Sequence, residues 1–156
     1  MQKYENMLFI AADRRLNVKE KRLLYYDGLI CGHNIAISDR LKTSAEKAGV
    51  LAEEIGHDAT SAGDILNYAD PNNYKQEVKA RTYGYNLMIS LDGIVDACKA
   101  GCQNAYETAE YLGCTEGYLR EAIDRYRGIY GLGVKHNGYW ISFEPSLTVR
   151  RDEAQK

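Results

Sequence analysis

Ala45-Glu46-Lys47-Ala48-Gly49-Val50-Leu51-Ala52-Glu53-Glu54-Ile55-Gly56-His57 is the stretch on which the reading of this chain turns. Ala48, Leu51 and Ile55 recur at helical spacing and anchor one side of a helix in a core. Thr43, with Glu46 three residues on, forms a capping box, with Ser44 as the competing cap, so the helix is expected over about 45–60. On that helix Glu53 and His57 are four apart and project from one face, one turn above the other. Two ligands at this spacing grip one ion without backbone strain. Glu54 sits beside Glu53 and points partly sideways, toward a water on the open side of that ion. This is the logic of a His-Glu-x-x-His motif, with ligands at both ends and a carboxylate beside the first to take the water's proton. Gly56 leaves room for another segment to approach closely.

Two ligands are too few for a catalytic zinc, which takes three protein groups and a water. Glu77 supplies the third, in Lys75-Gln76-Glu77-Val78-Lys79-Ala80-Arg81. A turn at Asp70-Pro71-Asn72-Asn73 precedes this second long helix, expected over about 74–88. Antiparallel packing of the two helices would bring Glu77 to the ion from the side, with Asp58 and Asp64 in reserve should Glu53 turn away. The same residues also have a reading without a metal, since adjacent glutamates are good helix formers on a solvated face.

Working outward, Tyr4, Met7, Leu8 and Ala11 recur at helical spacing, giving a first helix from position 2 to about 13. Two short apolar runs flank Gly32-His33-Asn34 and predict a small hairpin or a pair of edge strands. Ser90 and Asp92 open a short helix that stops near Gly101. Another spans Asn104 to Leu112, the chain turns at Gly113-Cys114-Thr115, and Thr115 caps a last helix to about Tyr130. Asn137-Gly138 is the strongest hairpin signal, because both residues accept the positive φ that a type I′ turn requires. Pro145 is expected to end the following strand, and positions 150–156 read as a frayed terminus.

The bulk properties narrow the function classes. A chain of 156 residues can bury a real core. A formal charge of -2 gives no global pull toward a polyanion, so a nucleic-acid role needs a local basic patch. Cys31, Cys98, Cys102 and Cys114 contain no Cys-x-x-Cys pair, which argues against a zinc knuckle or disulfide framework and for a reducing cytoplasm. The first residues lack the apolar run of a signal peptide, and no stretch approaches the length of a membrane span. Thirteen tyrosines against two phenylalanines suit half-buried positions and groove walls, where the ring packs and the hydroxyl stays wet.

Taken together, these segments resemble the ImmA/IrrE family of metallopeptidases, specifically the short forms of phages and integrative elements. Residues 45–57 are similar to the family's zinc helix in its Ala-Glu-Glu variant. Gly28-Leu29-Ile30 and Asn34-Ile35-Ala36-Ile37 resemble the strands before it. Glu77 with Ala80 and Arg81 resembles the helix bearing the acidic third ligand, and Gly138 to Pro145 looks like the closing strand. The resemblance implies an α+β fold, a mainly helical zincin-like core with a small β-sheet or hairpins. That core would take 1–90 and a helix-turn-helix-like segment 91–130, with a C-terminal hairpin and tail over 131–156 packed on the same domain.

The resemblance further implies a zinc peptidase that cuts a DNA-binding repressor, with Glu54 as general base and Glu53, His57 and Glu77 as metal ligands. Glutamate at Glu53 departs from the usual histidine. With Glu77 it would neutralise a divalent ion, raise the pKa of the ion's water and favour harder cations than zinc. An oxyanion donor is open among His33, His136, Arg81 and the tyrosines. Direct DNA contact is the less favoured role of the 105–127 segment, because Glu116, Glu121 and Asp124 offset Arg120, Arg125 and Arg127. The alternative to an enzyme is a non-catalytic binder of a repressor or of DNA that keeps a degenerate metal site.

Overall fold

Capping chemistry sets where the helices begin. The computed structural model describes residues 3–60 and 71–152, with side chains for all but 71–73. Six helices and six strands lie among the described residues, a mixed α and β fold. They divide between two compact units, Met1–Met88 and Ile89–Lys156.

The first unit opens with α1 (Lys3–Asp13), then β1 (Asn17–Lys21), β2 (Gly28–Cys31) and β3 (Asn34–Ser38). β2 and β3 form the expected hairpin about Gly32 and His33, with Cys31 opposite Asn34. β1 was not anticipated. It pairs parallel with β3 from Asn17↔Asn34 to Lys21↔Ser38, giving the sheet order β1-β3-β2. Its sequence, Asn-Val-Lys-Glu-Lys, has one apolar residue and an almost wholly exposed edge, so alternation could not reveal it. Parallel pairing requires a crossover, and residues 22–27 provide it, passing from one edge of the sheet to the other across the end of β3.

α2 (Ser44–Thr60) follows. Thr43 is its cap: Oγ1 accepts the Glu46 backbone N–H at 3.1 Å, and the hydroxyl donates to Glu46 Oε1 at 3.0 Å. α3 (Pro71–Met88) starts three residues before the expected position. A proline at the first helical position explains the shift, since its fixed φ suits the first turn and its missing N–H would have no helical partner there. Asp64 and the rest of 61–70 lie outside the described residues. The core of this unit is drawn from Met7, Ala11, Ile35, Ile37, Ala48, Leu51, Ala52, Ile55 and Met88. α2 is its centre, packed on α3, on α1 and on β2 and β3.

The second unit holds α4 (Leu91–Lys99), α5 (Ala105–Leu112) and α6 (Glu116–Tyr130), then β4 (Gly133–His136), β5 (Tyr139–Ser142) and β6 (Thr148–Arg151). Ser90, Asn104 and Thr115 each cap their helix by accepting a backbone N–H. Gly113 ends α5 at φ 73°, in the left-handed region that glycine adopts freely. The β4–β5 hairpin turns at Asn137 and Gly138, both at positive φ. The reading of 150–156 as frayed is corrected in part: Thr148–Arg151 is a third strand paired antiparallel with β5. Val149, opposite Ile141, is the only aliphatic residue in it, too little for a strand signal. Tyr126 and Phe143 are fully buried, and the Tyr126 hydroxyl donates to Ile89 O at 2.6 Å.

Candidate metal centre

Close approach of two backbones brings the site together. A Cβ on Gly56 would sit 2.0 Å from the carbonyl oxygen of Ala80, and one on Gly84 would sit 3.0 Å from that of Ala52. α2 and α3 therefore touch backbone to backbone at both points, as only glycine permits. Glu77 lies one turn before Ala80 and faces the end of α2 that carries Glu53 and His57.

Among the described residues, Glu53, His57 and Glu77 each offer a ligand atom, and these atoms all lie within 4.8 Å of one another. His57 Nε2 and Glu77 Oε2 approach to 3.3 Å. That approach lacks hydrogen-bond geometry: Glu77 Oε2 and His57 Nδ1 are both buried without a hydrogen-bond partner among the described residues. Buried polar atoms are normally satisfied, and the exceptions call for an explanation. An imidazole and two carboxylates supply a nitrogen and oxygens suited to a divalent cation. The cluster can hold one.

Arg81 is the residue whose role here was not foreseen. Its Nε lies 3.4 Å from Glu53 Oε1 and 3.2 Å from Glu77 Oε1, so one guanidinium compensates both carboxylates. Burial by itself lowers the Arg81 pKa, but the Glu53 and Glu77 charges outweigh it and the net shift is upward. The four-residue spacing of Glu77 and Arg81 was a visible sign of half of this arrangement.

Glu54 follows Glu53 on α2, close enough to feel the charges of both Glu53 and Glu77. It is buried beneath the start of β2, where a Cβ on Gly28 would lie 3.2 Å from Glu54 Oε1 and 2.6 Å from Val50 Cγ1. Burial, reinforced by the charges of Glu53 and Glu77, pushes its pKa up to about 8. A cation among the three neighbouring ligands would act in the opposite sense, since opposite charge favours the ionised carboxylate. His57 shifts down. Burial is the main cause, Glu77 opposes it and Arg81 adds to it, which leaves a neutral imidazole with a lone pair to offer.

The reserve ligand Asp58 is committed elsewhere, accepting from Arg14 Nε at 2.8 Å. His33 is exposed in the β2–β3 turn. His136 lies in the second unit, with Nε2 2.6 Å from Asp92 Oδ1. Of the candidate oxyanion donors, Arg81 lies at the cluster, with Tyr85 near enough to contribute to its raised pKa. In the second unit the helix pair α5 and α6 has the expected turn, yet two of its arginines are paired. Arg120 holds Glu116 at 2.7 Å, and Arg127 holds Asp124 and Glu144, each at 2.7 Å. No helix among the described residues is long and apolar enough to cross a membrane, and none of the four cysteines is in a disulfide.

The chain matches no protein-family model, and neither the curated proteins nor the solved structures contain a match to it. The class that fold and site define is therefore a mixed α and β protein with a Glu-His-Glu cluster able to coordinate a metal ion.

Proposed function

We propose that the first unit is a zinc-dependent endopeptidase of the ImmA/IrrE type that cuts a DNA-binding repressor, with Glu53, His57 and Glu77 holding the metal. One observation carries this reading: three ligand atoms converge within 4.8 Å, next to the buried carboxyl group of Glu54, which shares α2 with two of them. The choice of a repressor as substrate rests on the likeness of residues 45–57 and of Glu77, Ala80 and Arg81 to that family.

A divalent cation bound there supplies Lewis-acid polarisation of a carbonyl and makes a nearby water more acidic. The remaining work belongs to the chain. Glu54 accepts a proton at its carboxylate from the attacking water and delivers it to the leaving amine. Its elevated proton affinity suits the second of these transfers, and a cation held by Glu53, His57 and Glu77 would favour the ionised form that the first requires. His57 stays neutral near pH 7 because its pKa is lowered, so no proton competes for its lone pair. β2 is an edge strand that starts over Glu54, and an extended peptide can add there as a further strand.

The test is incubation of the purified protein and zinc with a helix-turn-helix repressor sought among the neighbouring genes. Discrete fragments are expected. Glu54→Gln should abolish them while zinc binding, followed by titration calorimetry, persists. Equal cutting by the two proteins would remove Glu54 from the role of base.

The Arg81 pairs favour a second reading, in which the site is degenerate and the protein only binds a repressor or DNA. Glu53 and Glu77 are already compensated by a guanidinium, so the fold does not require a cation to offset them. Elemental analysis of protein purified without chelator separates the two. One equivalent of metal supports the enzyme. No metal, together with salt-sensitive binding to a DNA duplex, supports the binder.

A further inference from the structure

The crossover between β1 and β2 is tied down by three of its backbone carbonyls. Arg40 Nε donates to Leu23 O at 2.8 Å and Arg40 Nη2 to Tyr26 O at 3.1 Å, while the Ser38 backbone N–H donates to Asp27 O at 2.8 Å. Three consecutive apolar side chains turn outward: Leu24 is 65% exposed, Tyr25 87% and Tyr26 58%. Single exposed apolar residues are ordinary, but three in a row on a backbone pinned by an arginine are not. Large, stiff side chains on a preorganised backbone lose little entropy on association, and this is the character of residues that dominate binding energy.

The location indicates what they bind. Tyr26 is two residues before Gly28, which is about 7 Å of extended chain. Gly28 in turn lies against Glu54. A polypeptide lying along β2 with its scissile bond near Glu54 passes this loop. The three side chains bear no formal charge, and beside them Asp27 and Arg40 compensate each other at 3.4 Å. The matching surface on such a polypeptide is therefore apolar or aromatic.

We propose that Leu24, Tyr25 and Tyr26 form a recognition loop that grips an apolar or aromatic segment of the polypeptide presented to the Glu54 site. The loop is a specificity element and takes no part in proton transfer. It rests on the peptide-hydrolysis reading for the position of its partner.

The test uses the full chain carrying Glu54→Gln, loaded with zinc, on an immobilised array of synthetic peptides of random sequence. Peptides rich in Leu, Phe, Tyr or Trp should be retained, and retention should fall roughly tenfold or more when Leu24, Tyr25 and Tyr26 are all changed to serine. Tyr25→Ser alone, at the most exposed of the three, should lose part of that retention and serves if the triple variant folds poorly. Unselective retention, or retention that neither variant changes, overturns the proposal. So does a loop-dependent dimer in sedimentation, or loop-dependent binding to phosphatidylcholine vesicles with no peptide selection, since each identifies a different occupant. Failure of the enzyme reading has its own signature: the array responds to the loop while protein with Glu54 intact cuts nothing. Cutting that is indifferent to the loop sinks the loop alone.

Discussion

Glu54→Gln in metal-free protein is a direct test of how the site is built. The substitution keeps the side chain's shape and removes its ability to ionise. In the fold the carboxyl stays neutral up to about pH 8, against an ordinary value of 4.5. Below pH 4.5 both folded and unfolded chains are protonated there, and the linkage contributes nothing. Between that point and pH 8 the unfolded chain ionises and the folded chain does not, so stability is lost as pH rises. At about 1.4 kcal/mol per tenfold change in proton affinity, the loss accumulates to roughly 5 kcal/mol above pH 8. Glutamine has no such loss. Urea unfolding from pH 4 to 9 in the presence of a chelator should give two curves that nearly meet at the acid end and separate steadily above it, with glutamine the more stable. Zinc should narrow the gap, because a cation beside Glu54 lowers the cost of ionising it. Parallel curves across the range would refute the account, for they would mean that Glu54 ionises in the fold as readily as in water.

Three further outcomes follow from the geometry. Gly56→Ala places a methyl against the Ala80 carbonyl and should cost about 3 kcal/mol in urea unfolding, and a loss below about 1 kcal/mol would contradict the close contact. Arg81→Gln removes the cation shared by Glu53 and Glu77, so zinc affinity by calorimetry should rise about tenfold while the metal-free protein becomes less stable; unchanged affinity would show that Arg81 does not compete for those carboxylates. Tyr126→Phe deletes a buried hydroxyl donated to Ile89 O and should destabilise by about 1–2 kcal/mol in thermal or urea unfolding; a neutral result would mean that the carbonyl finds another donor.

Much of this was legible in the sequence because local rules were at work. The caps at Thr43 and Thr115, the helix starts at Ser90 and Asn104, the turn at Asn137-Gly138 and the space at Gly56 each depend on a few adjacent residues. The spacing of Glu53 and His57 is likewise a property of one helix. The convergence of Glu77 on them is tertiary, and its anticipation relied on the packing of two helices. What escaped was set by distant partners. β1 is a strand because β3 offers a hydrogen-bonding edge, and its polar composition gives no hint of that. β6 takes its place beside β5 in the same way. The burial of Glu54 escaped because its helical position says nothing of Gly28, which is brought over it by the sheet. Arg81 was weighed only as an oxyanion donor, since its reach to Glu53 exists only after α2 and α3 have met.

That meeting has a bearing on selectivity. Where side chains set the distance between two helices, a rotamer change can widen or narrow it. Here Gly56 lies against Ala80 and Gly84 against Ala52 with no side chain between them, so the gap behaves as a fixed gauge. Ions of different radius would meet the same separation of anchoring points, and discrimination among them would come from the main chain as much as from the donor atoms.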